Sequence, residues 1–487
     1  MVSCHASSTH NRRRGVAIAA AAVLALSFSA LSPATAADGR VSKAVEMTPT
    51  LEAQIEQMVL SFQSDNGLPG VSVAVVTPSP NSDEPVVTTF TVGYADLDSS
   101  TPVDVSTQFE LGSETKAFTA DLLAYLVASQ QVSLDDSVQS YAPAGVVVPE
   151  WTDPHTGIAT AITLRDLATH QSGLRYLPPN FNEGCGSDPG CVNPRPGYTQ
   201  TLLWDAFALQ PTLLWQPGTN WLYSNWGFSL LGTILSNVVD LMPETQPPAY
   251  QSALDGVFLA DLGMSSTLLE TPTPNLATPY GDDGTPTWHW NNTNAMSGAG
   301  GLISDATDMG TWVAAHLGYA GSTAPLGVQT MADTLQPVST VTTVCSKTLE
   351  CKPANFHMGL AWELHSATTQ HVGSPWAFKN GDTAGFSTDT ALAPSLSTGV
   401  TTMFNKKRVG TEQIAIPILK LLVHHQTSLE PAPVEQTGSP VPHPIAATGY
   451  EASTLLALGL GAAMLVVVGA ALSASRREEG AARQRRS

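Results

Sequence analysis

Apolar positions first recur at a helical interval near residue 50. Leu51, Ile55, Met58, Val59 and Phe62 fall on one face of a helix predicted over 51–62. The period then shortens. Residues 71–76, after Gly67-Leu68-Pro69-Gly70, form a β-rich run, and 86–94 form a second, so the two are expected to pair as adjacent strands. Phe118, Leu122 and Leu126 restore the helical spacing within 115–129. Residues 135–219 read as helices and Gly/Pro-rich loops, with Thr163-Leu164-Arg165-Asp166-Leu167 as a capped helix start. Further helices are expected over 226–241, 253–262 and 305–317. Beyond Cys351 the pattern turns to strands at 358–363, 386–392 and 398–404, and an apolar-faced helix at 412–423 closes the run. No internal repeat is visible.

Strands at both ends with helices between predict an α+β domain. One antiparallel sheet would be built from both domain termini and flanked by helices. The insert would form a helical subdomain, with a site in the cleft between the two parts. The domain is expected over 37–426, followed by a Pro-rich polar linker over 427–447.

Both ends carry targeting patterns. Arg12-Arg13-Arg14 precede an uncharged run over 15–31, and Ala34-Thr35-Ala36 offers a small-x-small cleavage site. Residues 1–36 therefore read as a secretory signal peptide. Residues 455–472 are uncharged and long enough to span a bilayer, and Arg476-Arg477, Arg483, Arg485 and Arg486 follow. The expectation is an exported chain held by a C-terminal transmembrane segment within 448–472, with 473–487 as a basic cytoplasmic tail. Ile445-Ala446-Ala447-Thr448-Gly449 also resembles a degenerate sortase signal, departing from the commoner Leu-Pro start, so cell-wall attachment at Thr448 is the alternative.

Composition fits that placement. The 487 residues are 43% hydrophobic and 13% charged, ample for a large core, and the net charge of −20 argues against nucleic acid as a partner. Of five cysteines, Cys4 falls in the leader. Cys185/Cys191 and Cys345/Cys351 are two close pairs in loop-like surroundings, expected as local disulfides outside the cytoplasm. Neither pair has the spacing or the histidines of a metal site.

The candidate chemistry begins at Gly112-Ser113-Glu114-Thr115-Lys116. On a helix, residues three apart share a face, so Ser113 and Lys116 set a hydroxyl beside an amine. A lysine can take a serine's proton only if burial or a second cation lowers its pKa. Taken alone, the pair reads more readily as a capping serine and a solvated lysine. Two more motifs follow in order: Tyr223-Ser224-Asn225, before an apolar helix, and Lys379-Asn380-Gly381-Asp382, at the edge of a β-rich run.

Together these three resemble the penicillin-recognising serine hydrolases, in the branch of class C β-lactamases and D-alanyl-D-alanine carboxypeptidases, which carries Tyr in the second motif. Leu164-Arg165-Asp166-Leu167-Ala168-Thr169-His170-Gln171-Ser172-Gly173-Leu174, Leu262-Gly263-Met264 and Gly298-Ala299-Gly300-Gly301-Leu302-Ile303-Ser304 are similar to further segments of that branch. The resemblance covers 51–423 and implies a β-lactamase/transpeptidase-like fold. It implies Ser113 as nucleophile, with Lys116 and Tyr223 sharing the acid–base work and Tyr223 kept near ionisation by two ammonium groups. Asn225 would bond the substrate amide and hold Lys116. Lys379 and Asn380 would meet a substrate carboxylate, and Gly381 would leave room for a substrate lying along the strand. The backbone N–H groups of Ser113 and Asp382 would form the oxyanion hole. Asn380 stands where Thr or Ser is commoner, and the Asp382 charge would oppose a carboxylate.

The resemblance implies no cofactor and no metal. Its substrates would be a D-alanyl peptide, a β-lactam or an ester. D-alanyl peptide cleavage is the leading expectation, with a class C-like β-lactamase, an esterase on the same Ser-Lys-Tyr set, and an inactive surface binding protein as alternatives. His170 is expected to be structural, and His424-His425 to complement a helix end. His371 has no expected role. Trp288-His289-Trp290 reads as a cleft wall or as loop packing, and Asn291-Asn292-Thr293 as a chance sequon.

Overall fold

The computed structural model describes residues 47–239, 249–269, 273–291, 293–321, 323–408 and 413–428. The expected leader over 1–36, the sorting or membrane segment over 448–472 and the basic tail lie outside these residues. So does the expected linker beyond 428. Among the described residues, no helix is long and apolar enough to cross a membrane.

Helix α1, Pro49–Asp65, starts where Thr48 accepts a hydrogen bond from the Leu51 N–H at 3.2 Å, and it buries Leu51, Ile55 and Val59 as the spacing predicts. Strands β1 (Gly70–Pro78) and β2 (Pro85–Asp96) pair antiparallel with Val73 opposite Phe90, and the short β3 (Thr101–Pro102) pairs antiparallel with the end of β2. The remaining strands come from the far end of the domain. They are β4 (Ser339–Cys345), β5 (Cys351–Met358), β6 (Glu363–His365), β7 (Trp376–Asp382), β8 (Ser387–Ala393) and β9 (Thr398–Phe404). Among the described residues these nine form one antiparallel sheet, in the order β3-β2-β1-β9-β8-β7-β6-β5-β4. The two ends of the domain meet where Val71 of β1 lies opposite Phe404 of β9.

Strand β1 is buried on both faces, which is why its apolar run does not alternate. Val71, Val73 and Val75 pack with α1 and the last helix, while Ala74 and Val76 join the core shared with the other helices. That helical half contains α2 (Thr115–Ala128), α3 (Leu164–Ala168), α4 (Gln200–Leu209), α5 (Asn225–Val239) and α6 (Ala306–His316). A helical run from Ala249–Leu254 passes through a π turn at Asp255–Leu259 to Ala260–Leu262. Helix α2 is central: Phe118 stacks on Trp312 at 4.5 Å, and even its Asp121 is buried, accepting from Trp312 Nε1 at 2.9 Å with His316 Nε2 at 3.0 Å. The closing helix α7 spans Ala415–Ser428, ending two residues into the segment expected as linker.

The expected strand over 358–363 is not one. Strand β5 ends at Met358 and β6 begins at Glu363. Between them Gly359 N–H donates to Trp362 O at 2.9 Å and Ala361 has φ +68°. Leu360, Ala361 and Trp362 are buried against the helical half, tied there by Leu360 N–H to Thr334 O and Ala361 N–H to Ala168 O. The apolar run plugs the core rather than extending the sheet. Both cysteine pairs are bonded, Cys185 to Cys191 in a loop and Cys345 to Cys351 across the end of the β4–β5 hairpin.

Candidate active site

Phe109 and Glu110 pair with Ser304 and Ile303 and deliver the chain to a 3-10 turn, Gly112–Glu114, from which α2 leaves. Ser113 thus sits in the turn before α2 rather than within its first α-turn. The turn is pressed against β7. A Cβ on Gly112, whose φ is +51°, would lie 2.8 Å from Asp382 O, and one on Gly381 would lie 1.9 Å from Leu111 O. Thr388 on β8 closes the contact by donating to Leu111 O at 3.1 Å. The backbone nitrogen of Asp382 therefore lies alongside the residue before Ser113. Strand β6 pairs only with Trp376, Ala377 and Phe378 of β7, so among the described residues no strand covers Lys379–Asp382 on that side.

Lys116 is fully buried. Its Nζ lies 3.0 Å from Ser113 Oγ and 2.8 Å from Asn225 Oδ1, contacts Ala299 O, and stands 4.8 Å from the centre of the Tyr223 ring. Asn225 opens α5, and its N–H donates to Tyr176 O at 2.8 Å. Lys379, 5% exposed, reaches to 5.8 Å from the Tyr223 ring and donates to Asn380 O at 2.6 Å. The pleat puts Lys379 and Gly381 on the face toward Ser113, with Asn380 and Asp382 on the other. The structure thus gathers Ser113, Lys116, Tyr223, Asn225, Lys379, Gly381 and the Asp382 backbone at one place. His170 is not exposed to it: Nδ1 accepts from Ser224 N–H at 3.0 Å, and the ring packs on Tyr223 at 4.4 Å.

Electrostatics alter one expectation. Burial, then the charges of Lys379 and Arg195, hold Lys116 well below its usual lysine range. Burial also pushes the Tyr223 phenol well above its ordinary value, with the neighbouring Ser113 hydroxyl pulling the other way. Desolvation is the largest influence and the charges of Tyr176, Asp382 and Glu363 add to it, so Tyr223 is not held near ionisation as expected. Lys379 is lowered by burial to about 8, with Glu363, Glu114, Asp382 and Asp389 opposing. Asp382 does not confront a ligand alone: Arg408 Nε lies 3.3 Å from its Oδ1, and Arg408 also binds Asp389 at 2.7 Å.

Several residues at the site carry no motif. Glu110 Oε1 accepts from Trp290 N–H at 2.9 Å and meets His289 Nδ1 at 3.0 Å, fixing the 288–290 loop as a wall of the cleft. The Trp290 ring lies against Gly300, which itself faces Gly112. Arg195 stacks 3.6 Å over Trp290, and Lys347 stands 3.8 Å over the Tyr176 ring. Trp288-His289-Trp290 was the one sequence signal for this wall. Arg195 and Glu110 had none, since each acts through partners far along the chain.

A model of the family described as Beta-lactamase matches residues 52–424. The D-alanyl-D-alanine-carboxypeptidase/endopeptidase AmpH of Escherichia coli (strain K12) is 30% identical over 207 residues, 42% of this chain and 48% of its own length. A β-lactamase of Lysobacter lactamgenus is 27% identical over 242 residues, 48% of this chain and 52% of its own. The chain spans about half the length of these curated relatives. The solved β-lactamase/D-alanine carboxypeptidase of Yersinia pestis, in complex with citrate, matches with a TM-score of 0.60 at 23% identity, over 77% of this chain and 99% of that one. That likeness bears on the fold, which is β-lactamase/transpeptidase-like as the motifs implied. A match running through all three motifs on this sheet and helical half leaves one assignment: the chain belongs to the β-lactamase family of serine hydrolases.

Proposed function

We propose that this chain is a serine hydrolase working through an acyl-enzyme on Ser113, of the D-alanyl-D-alanine carboxypeptidase type, exported and held at the cell surface. The observation that carries the chemistry is the surroundings of Lys116 Nζ. Asn225 Oδ1 and Ala299 O are acceptors and occupy two N–H groups. Burial favours the neutral amine. Its lone pair then faces Ser113 Oγ and takes the hydroxyl proton as that oxygen attacks the substrate carbonyl. Tyr223, protonated, relays a proton to the departing amine and recovers it from Lys116. The N–H groups of Ser113 and Asp382 stabilise the oxyanion, and water attacks the ester in the second half.

The uncovered edge at Lys379–Asp382 suits a peptide added as a strand, and Lys379 offers its terminal carboxylate a cation. Asn380, expected as a second donor, lies on the opposite face of β7, so Lys379 is the group left to receive it. The names of the AmpH relative and the Yersinia structure support the same substrate class. The leader pattern, the apolar 455–472 run and two bonded cysteine pairs support export.

Intact mass after incubation with a β-lactam or a fluorophosphonate tests the nucleophile. One adduct is expected, and Ser113→Ala abolishes it; labelling that survives the substitution removes Ser113 from the role. Parallel assays with a D-alanyl-D-alanine peptide, a chromogenic cephalosporin and a p-nitrophenyl ester test the substrate class. Brisk ester turnover with the peptide untouched replaces the peptidase reading with an esterase.

A further inference from the structure

Past the end of β7, where Thr383 follows Asp382, lies a cleft of about 700 Å³ that none of the three motifs lines. It is bounded by the Cys185–Cys191 disulfide loop, the 288–290 loop and Thr383-Ala384, the residues that follow Asp382. Arg195 forms part of its wall. The guanidinium lies flat on Trp290 at 3.6 Å, and the two loops that hold this stack are stitched together. Asn193 Nδ2 donates to Trp290 O at 2.9 Å and to His289 O at 3.4 Å, and Asn294 Nδ2 donates to Pro196 O. Glu110 fixes the Trp290 backbone from beneath.

Held this rigidly, the guanidinium is nonetheless poorly satisfied. Its hydrogen bond among the described residues is a long one, Nη1 to Asn193 Oδ1 at 3.5 Å, and Nε is buried with no acceptor. Among the described residues no carboxylate stands within ion-pair distance of it; Glu110, beneath Trp290, acts on it only through space, against the larger effect of burial. A planar, stacked guanidinium with free donors at a cleft wall is preorganised for a carboxylate. Asp282 and Asp283 line the same cleft, but both are exposed at its rim, and Asp283 is engaged by the N–H and hydroxyl of Thr285 at 3.0 and 2.7 Å.

Position decides which part of a substrate arrives there. Along β7 the carbonyl to be attacked lies by Asp382, and Lys379, three residues earlier, marks the side of the terminal carboxylate. Thr383-Ala384 continue in the opposite direction, toward the acyl portion, and the cleft opens there. We propose that Arg195, seated on Trp290, is a specificity-determining residue that recognises a second carboxylate, carried on the acyl side of the substrate. The preferred substrate is then an acidic peptide with one carboxylate at its C-terminus and another before the scissile bond. This rests on the acyl-transfer reading above for the direction of the substrate.

The test compares glutaryl-D-alanyl-D-alanine with pentanoyl-D-alanyl-D-alanine, which share the terminal carboxylate and differ by one on the acyl group. The full chain is expected to prefer the glutaryl peptide in kcat/KM. Arg195→Gln should collapse that ratio about tenfold, and Arg195→Lys should restore part of it. Calorimetric binding of both peptides to the Ser113→Ala chain gives the same comparison without turnover, so failure of the nucleophile assignment does not obscure the result. A wild-type chain without preference, in rate or in binding, overturns the proposal. So does a preference that survives Arg195→Gln while both peptides weaken alike, because Arg195 would then only support the loop.

Discussion

Lys116 and Lys379 lie in one site, yet burial leaves them in different states. Among the described residues Lys116 Nζ meets the neutral acceptors Asn225 Oδ1 and Ala299 O and no carboxylate, so desolvation wins and the amine is free to accept a proton. Lys379 feels Glu363, Glu114, Asp382 and Asp389, and its pKa stops at about 8. Its charge is present below that pH and lost above it. If Lys379 receives a substrate carboxylate, kcat/KM for a D-alanyl peptide should fall with a single ionisation as pH rises through about 8, while that for a neutral ester should not. Lys379→Ala should remove this limb and lower peptide kcat/KM by about a hundredfold, on the order of 2–3 kcal/mol. Matching pH profiles for the two substrates in the wild-type chain would dismiss carboxylate recognition by Lys379. Sequence spacing placed Ser113 beside Lys116 because a local turn sets that distance. It could not report the state of Tyr223, which depends on how thoroughly residues from elsewhere exclude water, nor single out Arg195, whose partners at 288–294 are distant in sequence.

The β4–β5 hairpin shows how an element tunes the site without supplying a motif. Cys345 N–H donates to Trp221 O at 2.8 Å and Trp221 N–H to Thr343 O at 2.9 Å, so the hairpin end is pinned to the segment that delivers Tyr223. The disulfide to Cys351 holds that end closed. Replacing both cysteines by serine should cost about 2 kcal/mol of stability, as expected for a short closed loop. It should also slow acylation of Ser113 by loosening Tyr223. Thermal unfolding and acylation rate, read together, check this; a lowered Tm with unchanged acylation would make the bridge a staple only. Strands β1 and β9 were legible because both are short runs rich in β-branched Val and Thr, and β9 is buried along its whole length and β1 up to its last residue. The hairpin was not, since most of its positions are exposed or half-buried and polar. The run at 358–363 misled for the opposite reason: it is apolar and buried, but as a plug.

For the whole molecule, every strand of the nine-stranded sheet and every motif of the site lies before residue 429, and α7 spans Ala415–Ser428. A chain stopped after residue 430 should therefore fold, acylate and appear in the medium, while the full chain should sediment with envelopes. Cell fractionation decides. Release by detergent indicates a membrane helix; release by wall hydrolases alone indicates attachment at Thr448. A truncated chain still bound to envelopes would place the anchor elsewhere.

The pairing of Val71 with Phe404 also imposes a timetable. At ~5–20 residues per second, a ribosome takes on the order of tens of seconds to deliver β9 after β1 has emerged. Throughout that interval the β1–β2 hairpin shows a bare, apolar edge, open to wrong partners and calling for a holding chaperone. The same delay keeps the growing polypeptide from locking shut, so under the export proposed above it would stay threadable through a narrow translocation pore.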